Sequence, residues 1–260
     1  MSWASRRQFF YTTVFVLFIL IFGFLIIYPY INKAPSCVDG RENGDETGID
    51  CGGSCSIACN SEVNDIDVIW SRAFKVTEGR YNAVSYLENK NPDAAVYKIK
   101  YRFRFGDKDN IYIGKREGET FIPPKGKFAI FEPAIDVGNS VPVYTTLEFT
   151  EVPVWVKVPE EKVNQLRVFV SNILLENQDT QPRLSANIKN NSLFFIPDIK
   201  VVAILYDALG NAISVSQTYL ESLKSEDSAK LFFTWPEPIS KEVVEKELIP
   251  MYNVFLTKLK

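Results

Sequence analysis

The chain has no histidine, and all of its cysteines fall between residues 37 and 59. The first absence excludes Ser-His-Asp and Cys-His nucleophilic machinery, histidine metal ligation and the usual proton shuttle at neutral pH. Paired carboxylates of the kind that hydrolyse glycosides remain open, but no spacing among the Asp and Glu residues singles out a pair. Acids are missing from residues 1–32, whose only charges are Arg6 and Arg7. Removing that +2 from the chain's −3 leaves −5 on residues 33–260. This mildly acidic remainder argues against a nucleic-acid partner, which normally meets a basic surface. The expectation is a protein that is not an enzyme and has no resident cofactor.

No charged side chain interrupts Phe9 to Ile31. At helical rise the run reaches roughly 34 Å, enough to cross a hydrocarbon core of about 30 Å. Arg6 and Arg7 precede it and Lys33 alone follows closely, so the N-terminus is expected to stay inside. Trp3, Phe9, Phe10 and Tyr11 at one end, and Tyr28 and Tyr30 at the other, suit the headgroup level. Pro29 and Pro35 are expected to break the helix as it leaves the bilayer. The rival is a cleaved signal peptide, whose apolar core runs about 7–15 residues. The run here is longer, and the small residues Ala34 and Ser36 lie several positions past it. Lipid modification of Cys37 is disfavoured because no apolar residue stands three positions before it. Thr12, Thr13 and Gly23 make no GxxxG pattern, so a simple anchor is favoured over a helix–helix contact. The expected layout is a cytoplasmic tail (1–8), a single transmembrane helix (9–31), a Cys-rich collar (32–63) and two extracytoplasmic domains (64–159 and 164–260) on the cytoplasmic membrane.

The collar has too few apolar residues for a core, and a segment this small needs staples. Cys37, Cys51, Cys55 and Cys59 imply two disulfides in an oxidising compartment, with three pairings open. Zinc is the lesser reading, because the C-x₁₃-C-x₃-C-x₃-C spacing is looser than usual for structural zinc. Asp39, Asn43, Asp45 and Asp50 are weak calcium candidates. Laid on an EF-hand, Arg41 falls where a ligand oxygen is required, so only an irregular calcium loop survives. The plain alternative is that Asp, Asn and Gly make turns. The stretch Cys-x-Asp-Gly-x-x-Asn-Gly-x-Glu-x-Gly-x-Asp-Cys-Gly-Gly-x-Cys resembles a cysteine-rich segment of bacterial secreted and surface proteins. That resemblance implies a cell-envelope setting and no reaction.

Beyond the collar the pattern recurs at an offset of about 100 residues, longer than solenoid periods and typical of whole domains. Asp67-Val-Ile-Trp-Ser71 corresponds to Arg167-Val-Phe-Val-Ser171, Asn89-Lys-Asn-Pro92 to Lys189-Asn-Asn-Ser192, and Asp107 to Asp207. Ile99, Tyr101, Phe103 and Phe105 alternate with Lys98, Lys100, Arg102 and Arg104, which places aromatics and bases on opposite faces of a strand. Ile199 to Tyr206 is almost wholly apolar, as a more enclosed strand requires. Short strands with regular turn signals predict a mainly β chain with two immunoglobulin-like sandwiches, joined by a polar link at Pro159–Lys162. One short helix is expected at 240–248. Phe103-Arg-Phe-Gly-Asp107 and Ala203-Ile-Leu-Tyr-Asp207 resemble the motif of FxLyD-type domains, which are sandwiches related to late-embryogenesis-abundant proteins. The resemblance implies extracytoplasmic modules that bind or scaffold without catalytic residues.

Three surface features compete with bland readings. The row Lys98, Lys100, Arg102 and Arg104 could meet an anionic envelope polymer or lipid headgroups; a solvated strand face that discourages edge pairing is the simpler account. Trp70, Trp155 and Trp235 fit core packing better than a carbohydrate platform. Asn190-Asn191-Ser192 is a glycosylation sequon and also an ordinary turn. The expected function is a non-enzymatic membrane protein presenting a binding or scaffolding module, its partners being the lipid bilayer and an envelope protein or polymer. The alternatives are an accessory subunit of a secretion, pilus or transport complex, and a carboxylate-dependent envelope hydrolase.

Overall fold

The computed structural model describes residues 3–31 and 36–259, without the side chains of Ala4 and residues 29–31. Helix α1 spans Trp3–Ile31. Its segment Ser5–Tyr28 is long and apolar enough to cross a membrane. Apolar side chains surround it on every side and are exposed, which suits an apolar solvent rather than water. Thr12 and Thr13 donate their hydroxyls to the carbonyls of Gln8 and Phe9, so neither polar group needs water. The helix begins at Trp3, and Arg7 stacks over the Trp3 ring at 4.6 Å. One expectation is corrected. Pro29 does not break the helix, which continues to Ile31; this close to the C-terminus a proline disturbs little beyond its own missing hydrogen bond. Lys33, Ala34 and Pro35 lie outside the described residues.

The first half of the globular part contains β1 (Asp67–Thr77), β2 (Arg80–Asn89), β3 (Ala94–Gly106), β4 (Tyr112–Ile122), β5 (Gly126–Asp136), β6 (Tyr144–Phe149) and β7 (Trp155–Lys157). The second contains β8 (Val168–Glu176), β9 (Arg183–Asn190), β10 (Phe194–Tyr206), β11 (Ala212–Leu223), β12 (Ser228–Thr234), β13 (Glu245–Met251) and β14 (Lys258–Leu259). The sheets are ordered β1-β2-β5 and β4-β3-β6, then β8-β9-β12 and β11-β10-β13, with β7 on β3 and β14 on β10. Adding seven to each strand of the first half reproduces the second. Each half is a sandwich, one core holding Leu87, Ile99, Phe103 and Phe128, the other Leu184, Ile188, Ile199 and Phe233.

Matching side chains hold matching corners. Asn89 and Asn190 are fully buried. Asn89 donates its amide to the carbonyls of Ala94 and Pro123, and Asn190 to those of Phe194 and Lys224. Their oxygens accept from the backbone N–H groups of Asn91 and Ser192. Asp107 Oδ1 accepts from the amides of Asp109 and Ile111, and Asp207 Oδ1 from those of Leu209 and Asn211. Backbone groups at each turn, buried at the Asn corners and exposed at the Asp ones, thereby find partners that no strand supplies.

The sandwiches pack together through β10. Ile199, Val201, Ala203 and Leu205 point into their own core, while Val202 and Ile204 join the first half's cluster with Val215, Ile249 and Met251. A strand buried on both faces must be apolar throughout, which accounts for its composition. Between the halves, Tyr86 and Tyr206 donate to the two oxygens of Glu247 at 2.6 and 2.7 Å. Burial first, and the carboxylate second, raise both phenol pKa values above the ordinary tyrosine range.

The link between the halves is not an extended strip. Glu160–Gln165 forms a short helix, α2, with Pro159 before it and two acids in its first turn, an arrangement suited to a helix start. The helix foreseen at 240–248 is absent: 242–244 is irregular, and β13 pairs with β10 from Tyr206↔Glu245 to Lys200↔Met251. Pairing against an enclosed strand overrides local helical character.

Candidate functional site

The four bases of β3 do share the outward face of the β4-β3-β6 sheet, but each has a glutamate beside it. Lys98 meets Glu119 at 2.7 Å, Lys100 meets Glu151 at 3.9 Å, and Arg104 meets Glu148 at 2.9 Å. Arg102 bridges Glu117 and Glu148 at 2.6 and 3.0 Å. Cross-strand register puts glutamates from β4 and β6 opposite the bases of β3, a relation invisible within β3 alone. The face is a charge-paired ladder rather than a bare cationic strip. A polyanion binding there would displace these partners.

The collar is held by Cys37–Cys55, with Cα atoms 5.7 Å apart. Cys51 and Cys59 are also disulfide-bonded, so no described cysteine is free. The expected disulfides are present, and the lesser zinc reading falls away with them. Glu46 approaches the Cys37–Cys55 sulfurs, but a disulfide sulfur carries no thiolate and that trio is no metal site. Of the calcium candidates, Asp39, Asp45 and Asp50 accept hydrogen bonds from the collar's turns, while the Oδ1 of Asn43 is buried without a hydrogen-bond partner among the described residues. Asp50 accepts from the amides of Asp39 and Gly40, Asp39 from the amides of Arg41 and Asn43, and Asp45 from the backbone and hydroxyl of Ser54. Gly52 and Gly53 permit this crossing, because a Cβ there would stand 1.7 Å from Thr47 Oγ1 and 2.0 Å from the Asp45 carbonyl. The collar's last residues belong to the first sandwich: Ile57 bridges Val156, Ala58 donates to the Trp155 carbonyl, and Asn64 donates to Asn91. From Ile57 onward the segment pairs with the first sandwich.

A groove of about 500 Å³ lies where β1, β11 and the 235–241 segment meet, lined by Arg72, Lys75, Trp235, Glu237 and Lys241. Its lysines are engaged, Lys75 with Glu78 at 3.0 Å and Lys241 with Asp207 at 3.4 Å. Among the described lining residues Glu237 is the single carboxylate, so the groove holds no carboxylate pair of the kind glycoside hydrolysis uses. The tryptophans do not form one platform. Trp155 is in the first core, Trp235 donates its indole N–H to the Val215 carbonyl, and Trp70 packs on Tyr86. The amide of Asn190 in the sequon is consumed by two buried carbonyls.

Sequence reasoning did not find Glu132. It is 8% exposed, accepts from Tyr101 at 2.6 Å and pairs with Arg116 at 2.9 Å. It joins the two sheets of the first sandwich, and burial first, then this hydrogen bond, push the Tyr101 phenol pKa up. Neither Glu132 nor Glu247 lines the groove.

Neither a family model nor a curated protein matches the sequence. Among solved structures, the chain is similar to red sea bream transglutaminase at 6% identity over 74% of this chain and 30% of that one, with a TM-score of 0.27. It is also similar to a β-glucuronidase from glycoside hydrolase family 2 at 10% identity over 85% of this chain and 29% of that one, with a TM-score of 0.21. The chain spans under a third of either enzyme, and likeness at these scores carries no argument about activity.

Proposed function

We propose that the protein is a single-pass membrane protein, N-terminus inside, whose two sandwiches form one non-enzymatic binding or scaffolding platform outside the cytoplasmic membrane. The observation that carries this reading is an oxidised collar following a helix of membrane-crossing length. Disulfides persist in oxidising compartments, and Arg6 and Arg7 favour an inside N-terminus. The common strand order supports a duplicated unit, and the resemblance to FxLyD-type domains agrees with a module that binds rather than reacts. Joint burial of β10 gives the pair the rigidity a platform needs.

The test is a C-terminal alkaline-phosphatase fusion to the full chain, with a fluorescent-protein fusion as its counterpart. The expected result is an active phosphatase, a dark fluorescent fusion, and a chain that stays in the membrane pellet after carbonate washing. A fluorescent C-terminus overturns the orientation. Release of a soluble chain shortened by its first helix overturns the anchor.

A further inference from the structure

The outward face of the second sandwich differs from the paired ladder of the first. Four rows cross the β12-β9-β8 sheet: Thr234, Arg183 and Glu176; Phe232, Ser185 and Leu174; Lys230, Asn187 and Ser171; Ser228, Lys189 and Phe169. Their neighbours Leu184, Ala186, Ile188, Leu231 and Phe233 point into the core, so period two turns these rows to solvent. Phe169 is 52% exposed, Leu174 53% and Phe232 44%. Lys189 and Lys230 have no carboxylate within ion-pair distance among the described residues, and Arg183 lies over the Phe232 ring at 4.6 Å. Arg167 adds a further base at the Lys189 end, where it lines an open depression with Phe169, Lys189, Asn191 and Glu226. Glu176 stands at one end, and Glu226 and Asp227 at the other.

In the row Phe232, Ser185 and Leu174 the face dips at the central strand, while Arg183 and Lys189 stand out from that strand at either end. The central strand contributes small polar side chains, Ser185 and Asn187, as a half-buried floor. Leu174 and Phe169 rise on one rim, Phe232 and Lys230 on the other. With strands about 4.8 Å apart the rim strands stand about 10 Å apart, and Arg183 to Lys189 spans about 20 Å along the floor. Apolar faces at the rims, hydrogen-bonding groups below and cations along the length suit a linear polymer with C–H faces, hydroxyls and negative charges. A bilayer would meet a polar floor where apolar contact is needed.

We propose that the outward face of the β12-β9-β8 sheet binds an acidic polysaccharide, with Arg183, Lys189 and Lys230 meeting its carboxylates and Phe169 and Phe232 packing on its sugar rings. This rests on the reading of the sandwiches as an outward binding platform and names its ligand class. Charge complementarity argues for the partner, because Lys189 and Lys230 stand in no ion pair among the described residues, whereas each base of the β3 row does.

The probe is immobilised polygalacturonate, with neutral dextran and polyglutamate as comparators. The full chain is presented in discs of zwitterionic lipid. Polygalacturonate is expected to bind the chain, dextran not to, and binding to weaken by about tenfold or more between about 50 and 500 mM salt. The triple variant R183Q/K189Q/K230Q should lose about tenfold or more in affinity. The pair F169S/F232S should lose several-fold with charge unchanged, and K98Q/K100Q should bind like the wild type. No binding to polygalacturonate, an unaffected triple variant, or equal binding to polyglutamate overturns the proposal, the last pointing to an acidic polypeptide or bare charge attraction. Discs expose both sides of the chain, so this result is independent of the fusion assay, and failure of the ligand and failure of the topology are read separately.

Discussion

The central strands β3 and β10 occupy the same place in two sandwiches of the same strand order, yet one is buried on a single face and the other on both. In β3 the even positions 98–104 carry bases that reach glutamates of β4, β6 and the 150–154 segment. In β10 the even positions include Val202 and Ile204, which lie against the first sandwich. One architecture therefore tolerates either water or a second protein layer on that face. The side chains at those positions decide which. The inner contact makes a pair of sandwiches into one body, and the outer sheets are left facing solvent.

Breaking the inner contact should have the largest effect. Ile204→Ala removes a fully buried side chain and is expected to cost about 2–5 kcal/mol in denaturant unfolding. Asn89→Ala and Asn190→Ala come next, each leaving buried carbonyls without donors at a cost of about 1–3 kcal/mol. Similar costs for the two would sharpen the correspondence between the halves. Tyr86→Phe leaves one oxygen of Glu247 without its donor, and a loss near the lower end of about 1–3 kcal/mol is expected.

Tyr86 and Tyr206 also set a pH dependence. Their folded pKa values are raised above the unfolded value of about 10. The folded state thus holds protons that the unfolded chain releases. This contribution is fully present below pH ~10 and is lost as pH rises further. Unfolding midpoints measured across that range should fall more steeply for wild type than for Y86F/Y206F. The smallest effect belongs to the β3 ladder, where Lys98→Ser should leave the unfolding midpoint almost unchanged, because exposed ion pairs are screened.

Much of this comparison was legible in the chain. Alternation at 98–105 and its absence at 199–206 announced a half-exposed and an enclosed strand, and Asp107 and Asp207 marked equivalent turns. The enclosed strand's partner was not legible, because nothing in 199–206 says which surface covers it. The glutamates of the ladder were missed for a similar reason. Glu117, Glu119 and Glu148 meet the bases only through cross-strand register, which the separation along the chain conceals. The cysteines pointed to disulfides but left three pairings, and Cys37–Cys55 emerges from the fold of the collar. The exposed face of β8, β9 and β12 drew no notice because its bases are split between β9 and β12 and its aromatics between β8 and β12.

The claim that the sandwiches form one body is tested most directly by thermal unfolding of the full chain in detergent, followed through single-tryptophan variants that keep Trp155 in the first sandwich or Trp235 in the second. The account predicts coincident transitions for the two probes, and a downward shift of both together on Ile204→Ala, as expected for a cooperative unit. Two separate midpoints, or a shift confined to the Trp235 probe, would contradict it.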